Sequence, residues 1–225
     1  MTNLKNLLCA TGAVALTMTA APAMAQNAET YSANLEALND SGVTGKVNMR
    51  LLKNRYLQVT VNATGLEMNE VHVGHIHGTF DDSGEPSDAM CPTIADDADG
   101  DGFIELAEGV PQYGPIIIPL GAPPLGEDLD PDGDGTIEYE MTFDLMDSSI
   151  YGSDMEGMTF SMEDVMPLTF REVVLHGLTV SGEFGDGTDG EVDGTTGYKT
   201  VLPVACGGIE AKGNGKRQGP KTVRF

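Results

Sequence analysis

The chain has 225 residues, and 12 lysines and arginines stand against 35 aspartates and glutamates, giving a formal net charge of −23. A charge of this sign repels phosphate backbones, so it argues against a nucleic-acid partner and suits a soluble exported protein. Hydrophobic residues make up 40% of the chain, which is enough for the core of one domain of about 200 residues.

Residues 1–25 have the features of a secretory signal peptide. Lys5 precedes an apolar run over residues 7 to 21, and Ala23-Met24-Ala25 supplies small residues for cleavage. The apolar run is too short and wrongly flanked to span a membrane. We therefore predict a signal peptide over 1–25, no transmembrane anchor, and a mature protein that is periplasmic or secreted.

Segments in which apolar and polar residues alternate predict β-strands through the following chain. The first three lie within 31–35, 47–51 and 57–61, separated by turn residues. Helical periodicity is scarce, and further strand-like segments lie at 115–118, 136–145, 172–180 and 199–205. The pattern predicts an antiparallel all-β domain over 26–210, with about seven to nine strands and long loops.

The segment 71–82 holds three of the four histidines. Its alternation predicts a fourth strand, in which His75 and His77 point to the same face. Two imidazoles on one strand face, joined by a third from elsewhere, suit a transition metal such as copper or zinc. The only distant histidine is His176. The alternative is that these histidines are merely packed in the core or at the surface.

Residues 97–108 match the twelve-residue EF-hand calcium loop at every ligand position. Gly102 stands where that loop turns sharply, and Pro92 just upstream argues against an incoming helix. We therefore expect a calcium loop inserted in a β-protein, an acidic turn without an ion being the alternative. The candidate calcium ligands are Asp97, Asp99, Asp101, Phe103, Glu105 and Glu108.

Residues 130–141 begin in the same way but place Met141 where a bidentate acid is needed. The sequence leaves open whether this second loop binds calcium. Calcium would order the section 79–145, because its clustered acids would otherwise repel one another. The candidate ligands of the second loop are Asp130, Asp132, Asp134, Thr136, Glu138 and Glu140.

The C-terminal end is basic, unlike the acidic body. Residues 211–225 contain glycines and five basic residues, which predicts a flexible tail. The alternative is that this tail folds back on the acidic body.

The order of these motifs resembles that of the copper/zinc superoxide dismutases. G-H-I-H-G is followed by a cysteine, a long loop, V-V-L-H and A-C-G-G-I, and the early part is also similar to a CHRD domain. The resemblance implies a Greek-key β-sandwich or barrel. It also implies a copper site at His75, His77 and His176, with His72 as a structural histidine beneath it.

Two cysteines remain after the leader, which contains Cys9. Cysteines in an exported domain are expected to be oxidised, with buried free thiols as the alternative. The resemblance implies an intrasubunit disulfide between Cys91 and Cys206. Closing so long a loop contributes about 4–5 kcal/mol on the chain-entropy model.

The chain departs from this family in three respects. The long loop lacks the further histidines of a zinc site and carries the calcium-type loops instead. Pro203 stands where the family has an arginine that attracts superoxide. The loop expected to guide the anion is acidic, which argues against fast dismutation because charge steering changes on-rates about tenfold to a thousandfold. Its acids are Glu183, Asp186, Asp189, Glu191 and Asp193.

Three functional hypotheses follow. The first is an exported protein that binds calcium in an EF-hand-type loop and one copper ion at the three histidines, with weak or no catalysis. The second is a copper-only superoxide dismutase, an oxidoreductase. The third is a calcium-dependent structural or adhesion module without a copper site. The sequence sets neither the oligomeric state nor the metal at the histidines, since imidazoles also bind zinc.

Overall fold

The computed structural model describes residues 28–153, 157, 159–181 and 197–213. The predicted signal peptide, the acids of the loop 182–196 and residues 214–225 of the predicted tail lie outside these ranges. None of the helices in the described ranges has the length and apolar character needed to cross a membrane.

The described ranges contain ten strands, all paired antiparallel, and two short α-helices. The helices are α1 (Leu106–Tyr113) and α2 (Met162–Val165). The strands are β1 (Ala28–Ala37), β2 (Thr44–Leu52), β3 (Tyr56–Thr64), β4 (Val73–Phe80), β5 (Pro86–Ser87), β6 (Ile116–Pro119), β7 (Thr136–Asp144), β8 (Arg171–Val180), β9 (Gly197–Gly208) and β10 (Glu210–Ala211).

The strands form two layers that share β1. In the first layer, β1, β2, β3 and β7 lie side by side, and β10 pairs with the other edge of β1. In the second layer, β4 lies between β8 on one side and the short β5 and β6 on the other. β9 pairs with β8 and with the last two residues of β1, so β1 passes from one layer to the other.

One hydrophobic core fills the space between the layers. Val47 and Val61 come from the first layer, and Ile76, Val173 and Val204 come from the second. In β2 and β3 buried and more exposed residues alternate, because only one face of this layer packs on the core. The antiparallel all-β sandwich predicted from the alternation is confirmed.

The predicted strands and the observed strands agree closely, whereas α1 was not predicted. The segments at 115–118, 136–145 and 172–180 correspond to β6, β7 and β8, and the segment at 199–205 is the middle of the longer β9. α1 contains both Gly109 and Pro111, two residues that disfavour a helix interior, so its sequence did not look helical. A single 3-10 turn, Ile94–Asp96, precedes the residues of the first acidic loop.

The disulfide between Cys91 and Cys206 is present, which confirms that pairing. Their Cα atoms lie 5.7 Å apart, although the two residues are separated by 115 positions in sequence. The bond ties the long loop section to β9. It thereby fastens this section to the outer side of the second layer, where the histidines lie.

Candidate metal centre

The antiparallel register of β4 and β8 brings the three histidines together. His75 lies opposite Val174, and Val73 lies opposite His176. His176 is therefore a diagonal neighbour of His75 on the same face, within reach of long side chains. Ile76, which points the other way, is part of the core. The imidazoles thus converge on the outer face of the second layer, beneath the loops.

The three imidazoles are close together and almost fully buried. The ring centroids lie 5.3 Å apart for His75 and His77, 4.8 Å for His75 and His176, and 5.8 Å for His77 and His176. One nitrogen of each ring lies within 4.8 Å of the corresponding nitrogen of the other two. Each residue is 1% exposed. Since a metal binds imidazole nitrogen at about 2 Å, small side-chain movements would bring all three onto one ion.

Each histidine directs one ring nitrogen to a backbone carbonyl. Because a carbonyl only accepts, that nitrogen carries the proton and donates it, and the ring's other nitrogen keeps a lone pair. A metal-binding histidine is oriented in the same way by its outer partner. The donor and acceptor pairs are His75 Nε2 and Leu125 O at 3.0 Å, His77 Nδ1 and Gly114 O at 2.8 Å, and His176 Nδ1 and Val201 O at 2.7 Å.

The remaining ring nitrogens are the feature that most suggests a metal. His75 Nδ1, His77 Nε2 and His176 Nε2 are buried and have no hydrogen-bond partner among the described residues. A buried polar atom left unsatisfied costs about 1–3 kcal/mol, so three in one place demand an explanation. Three converging imidazole lone pairs are a donor set that copper and zinc both accept, so these residues fit a metal ion.

Burial keeps the three imidazoles neutral. Burial lowers the pKa of His75 to about 4, and burial together with the neighbouring His75 lowers the pKa of His77 to about 3. Burial, reinforced by His75 and His77, places the pKa of His176 well below its ordinary value. Neutral imidazoles have a free lone pair at neutral pH, which is the state that binds a metal.

His72 has a different environment. It is fully buried and precedes β4. Its Nε2 lies 2.9 Å from the carbonyl oxygen of Glu67, and its Nδ1 lies 3.3 Å from that of His176. Both ring nitrogens therefore face backbone oxygens. This placement is that of a packed structural histidine next to the centre, and not of a fourth ligand.

The first acidic loop brings three carboxylates together. Oxygens of Asp97, Asp99 and Glu108 lie within 4.8 Å of one another. Asp97 accepts backbone N–H groups of Gly100 and Gly102 at 2.7 and 2.9 Å, so the loop curls around this side chain. α1 begins at the tenth position of the loop and carries Glu108 in its first turn.

The other candidate ligands of this loop are placed differently. Asp101 accepts the N–H of Phe103 at 2.8 Å, and burial followed by the charges of Asp99, Asp97 and Glu108 raises the pKa of Asp101. Glu105, which is 1% exposed, is the N-cap residue of α1. Neither belongs to the three-carboxylate group.

In the second acidic loop, the structure brings together Asp130, Asp132 and Asp134. Asp130 is buried and accepts the N–H groups of Asp134 and Gly135. The three later candidates, Thr136, Glu138 and Glu140, belong to β7. Because β7 is extended and paired with β3, Glu140 reaches Gln58 at 3.3 Å and lies outside the carboxylate group.

Sequence reasoning missed the carbonyls that orient the histidines, because a backbone acceptor can belong to any residue type. It also missed Glu172, which is 1% exposed, lies opposite His77 and places Oε2 3.2 Å from Cys91 Sγ. A signal for Glu172 was available, since a charged residue in an otherwise apolar buried strand is unusual.

No protein-family model matches the sequence, and no curated protein matches it. Solved structures do match, among them superoxide dismutase 5 of Candida albicans with Cu(II). The sequence identity is 15%, the match covers 84% of this chain and 95% of that chain, and the TM-score is 0.39.

Proposed function

We propose that this chain is a metal-binding protein in which His75, His77 and His176 hold one copper ion. The observation that carries the proposal is the set of three buried lone pairs, each oriented by a carbonyl on the opposite ring nitrogen. Copper is preferred to zinc because divalent copper binds a given nitrogen site more tightly. A bound copper would supply a centre able to change between two oxidation states.

We propose binding in preference to fast turnover. The three histidines are 1% exposed, which leaves little access for a substrate. Pro203 lies opposite His176 in the sheet and brings no positive charge for an anion. The copper-only superoxide dismutase remains the second candidate, supported by the order of the histidine and cysteine motifs.

Metal analysis tests the binding proposal. The mature protein, purified without added metal, is analysed for copper and zinc and then titrated with Cu(II). We expect one copper per chain, lost in His77→Ala and retained in His72→Gln, whose ring nitrogens both face carbonyls. Equal copper binding by the wild type and His77→Ala would refute the site, and so would the absence of binding.

A superoxide assay separates the two candidates. Copper-loaded wild type and His77→Ala are compared with the metal-free protein. We expect loaded wild type to consume superoxide at nearly the metal-free rate. A rate that depends on both copper and His77 would favour the dismutase instead.

We also propose that the loop 97–108 binds calcium. The support is the grouping of Asp97, Asp99 and Glu108, since these residues stand at loop positions 1, 3 and 12, where an EF-hand loop has carboxylate ligands. Calcium at about 100 times its dissociation constant should add about 2.7 kcal/mol to the free energy of unfolding. Glu108→Gln should abolish this gain. Thermal melting that chelation leaves unchanged would contradict the proposal.

Export is part of the same proposal. The Cys91–Cys206 disulfide supports it, because disulfides persist in oxidising compartments such as the periplasm or the cell exterior.

A further inference from the structure

The C-terminal end of α1 is packed against β4, the strand that carries two of the three histidines. Gly114 follows the last residue of α1 with φ of 80°, and a Cβ atom there would overlap the carbonyl oxygen of Gly78. The N–H of Gly78 in turn points to the carbonyl of Pro115 at 3.4 Å. The two backbones are therefore in direct contact, and the position of the helix end relative to β4 is fixed.

Tyr113, the last residue of α1, lies against His77. The ring centroids are 4.6 Å apart, the planes are inclined at 62°, and Tyr113 is fully buried. The hydrogen bond from His77 Nδ1 to Gly114 O fixes the position of one imidazole atom, and the Tyr113 ring packs against the rest of that imidazole from the side of α1. Tyr113 is the aromatic side chain that makes this contact from α1.

Gly109 makes room for the tyrosine ring. A Cβ atom at position 109 would lie 2.5 Å from Cε1, 2.6 Å from Oη and 2.7 Å from Cζ of Tyr113. The tyrosine thus folds back over its own helix at the one position that has no side chain. Glycine inside a helix costs about 1 kcal/mol relative to alanine, and space for the ring offsets that cost.

We propose that Tyr113, seated over Gly109, is a positioning residue for the three-histidine centre. Its ring sets the plane of the His77 imidazole and therefore the direction of Nε2, the atom without a hydrogen-bond partner among the described residues. The inference rests on the proposed function, in which His77 Nε2 is a copper ligand. It gives α1 a role in orienting a metal ligand, although α1 contributes none of the three histidines.

A double-mutant cycle with Cu(II) tests this role. The proteins are the wild type, Gly109→Ala, Tyr113→Leu and the double variant. Their Cu(II) electron paramagnetic resonance spectra and dissociation constants are compared. Gly109→Ala should alter the spectrum and raise the dissociation constant about tenfold, because the new methyl group displaces the ring that orients a ligand. Tyr113→Leu should have the same effect, and adding Gly109→Ala to it should change nothing further.

Two controls separate positioning from general damage to the helix. Tyr113→Phe keeps the ring and should retain the wild-type spectrum. Ala107→Ser substitutes an exposed residue of the same helix and should also leave the spectrum unchanged. Circular dichroism confirms that each variant is folded.

A second measurement uses the metal-free protein, so that it does not depend on copper binding. Nitrogen-15 spectra of the imidazoles should show one His77 tautomer with the proton on Nδ1 in the wild type. The His77 resonances should shift in Gly109→Ala and in Tyr113→Leu. If the wild type bound no Cu(II) but these shifts appeared, the copper proposal would fail and the positioning role would stand. The role is overturned if both variants match the wild type in both spectra, or if Gly109→Ala acts equally in the presence and absence of Tyr113.

Discussion

Mild acid should strongly destabilise the metal-free protein, because three buried imidazoles must stay neutral in the folded state. In the unfolded chain histidine titrates near pH 6.5. In the folded chain burial lowers the pKa of His75 to about 4 and that of His77 to about 3, and it lowers the pKa of His176 well below the ordinary value. Between pH 6.5 and about 4 the unfolded chain therefore binds more protons, and the free energy of unfolding falls as the pH falls.

The size of the effect follows from the number of histidines. One histidine that is protonated only when unfolded contributes up to about 1.4 kcal/mol per pH unit. Integrated from pH 6.5 to pH 5, this amounts to about 1.7 kcal/mol for one histidine and about 5 kcal/mol for three. Such a loss is comparable to the whole stability of many domains, which is about 5–15 kcal/mol.

Urea unfolding in the presence of a chelator measures this dependence at pH 6.5, 6.0, 5.5 and 5.0. The matched variants His77→Gln and His176→Gln keep every carboxylate and remove one titrating imidazole each. Each should remove about one third of the histidine contribution to the slope, and because the carboxylates are unchanged the difference from wild type isolates that contribution. Identical slopes in the wild type and both variants would show that the buried imidazoles do not control acid stability.

Three further predictions concern stability. Replacing Cys91 and Cys206 together by alanine should cost about 5 kcal/mol in urea unfolding, because the bond closes a loop of 115 residues; a change below about 1 kcal/mol would contradict this. Gly114→Ala should lower the free energy of unfolding by about 2 kcal/mol more than Gly84→Ala, because Gly84 has a similar φ but open space around it. Equal losses would show that β4 accommodates the added methyl group at no cost. Arg171→Leu should cost about 3 kcal/mol, because a fully buried guanidinium donates to four backbone carbonyls; thermal melting at the wild-type temperature would exclude this role.

The strands of the first layer could be predicted because each buries only one face. In β2 and β3 the alternation of apolar and polar residues marks the face that meets the core. α1 could not be predicted, because Gly109 and Pro111 both disfavour a helix interior. Gly109 accommodates the Tyr113 ring, whereas nothing in the structure explains Pro111.

The histidines of the centre could be predicted from the sequence, and their orientation could not. The spacing of His75 and His77 predicted that they share a strand face, and the V-V-L-H motif predicted His176 as the third histidine. The acceptors that fix their tautomers are backbone atoms of Leu125 and Gly114, brought in by loops whose course depends on the whole fold. Any residue type can supply a backbone carbonyl, so the sequence does not identify these partners and only the folded structure does.

The G-H-I-H-G motif has a physical explanation on both of its faces. A Cβ atom on Gly74 would lie 2.8 Å from Leu129 and 2.9 Å from Leu175, and one on Gly78 would lie 2.5 Å from Arg171. Leu175 and Arg171 are the partners of Gly74 and Gly78 in β8, so glycine at these inward positions leaves room for their large side chains. A larger residue at either position would have to displace Leu129, Leu175 or Arg171. β4 thus carries glycines on either side of Ile76 on its inward face and the two imidazoles on its outward face.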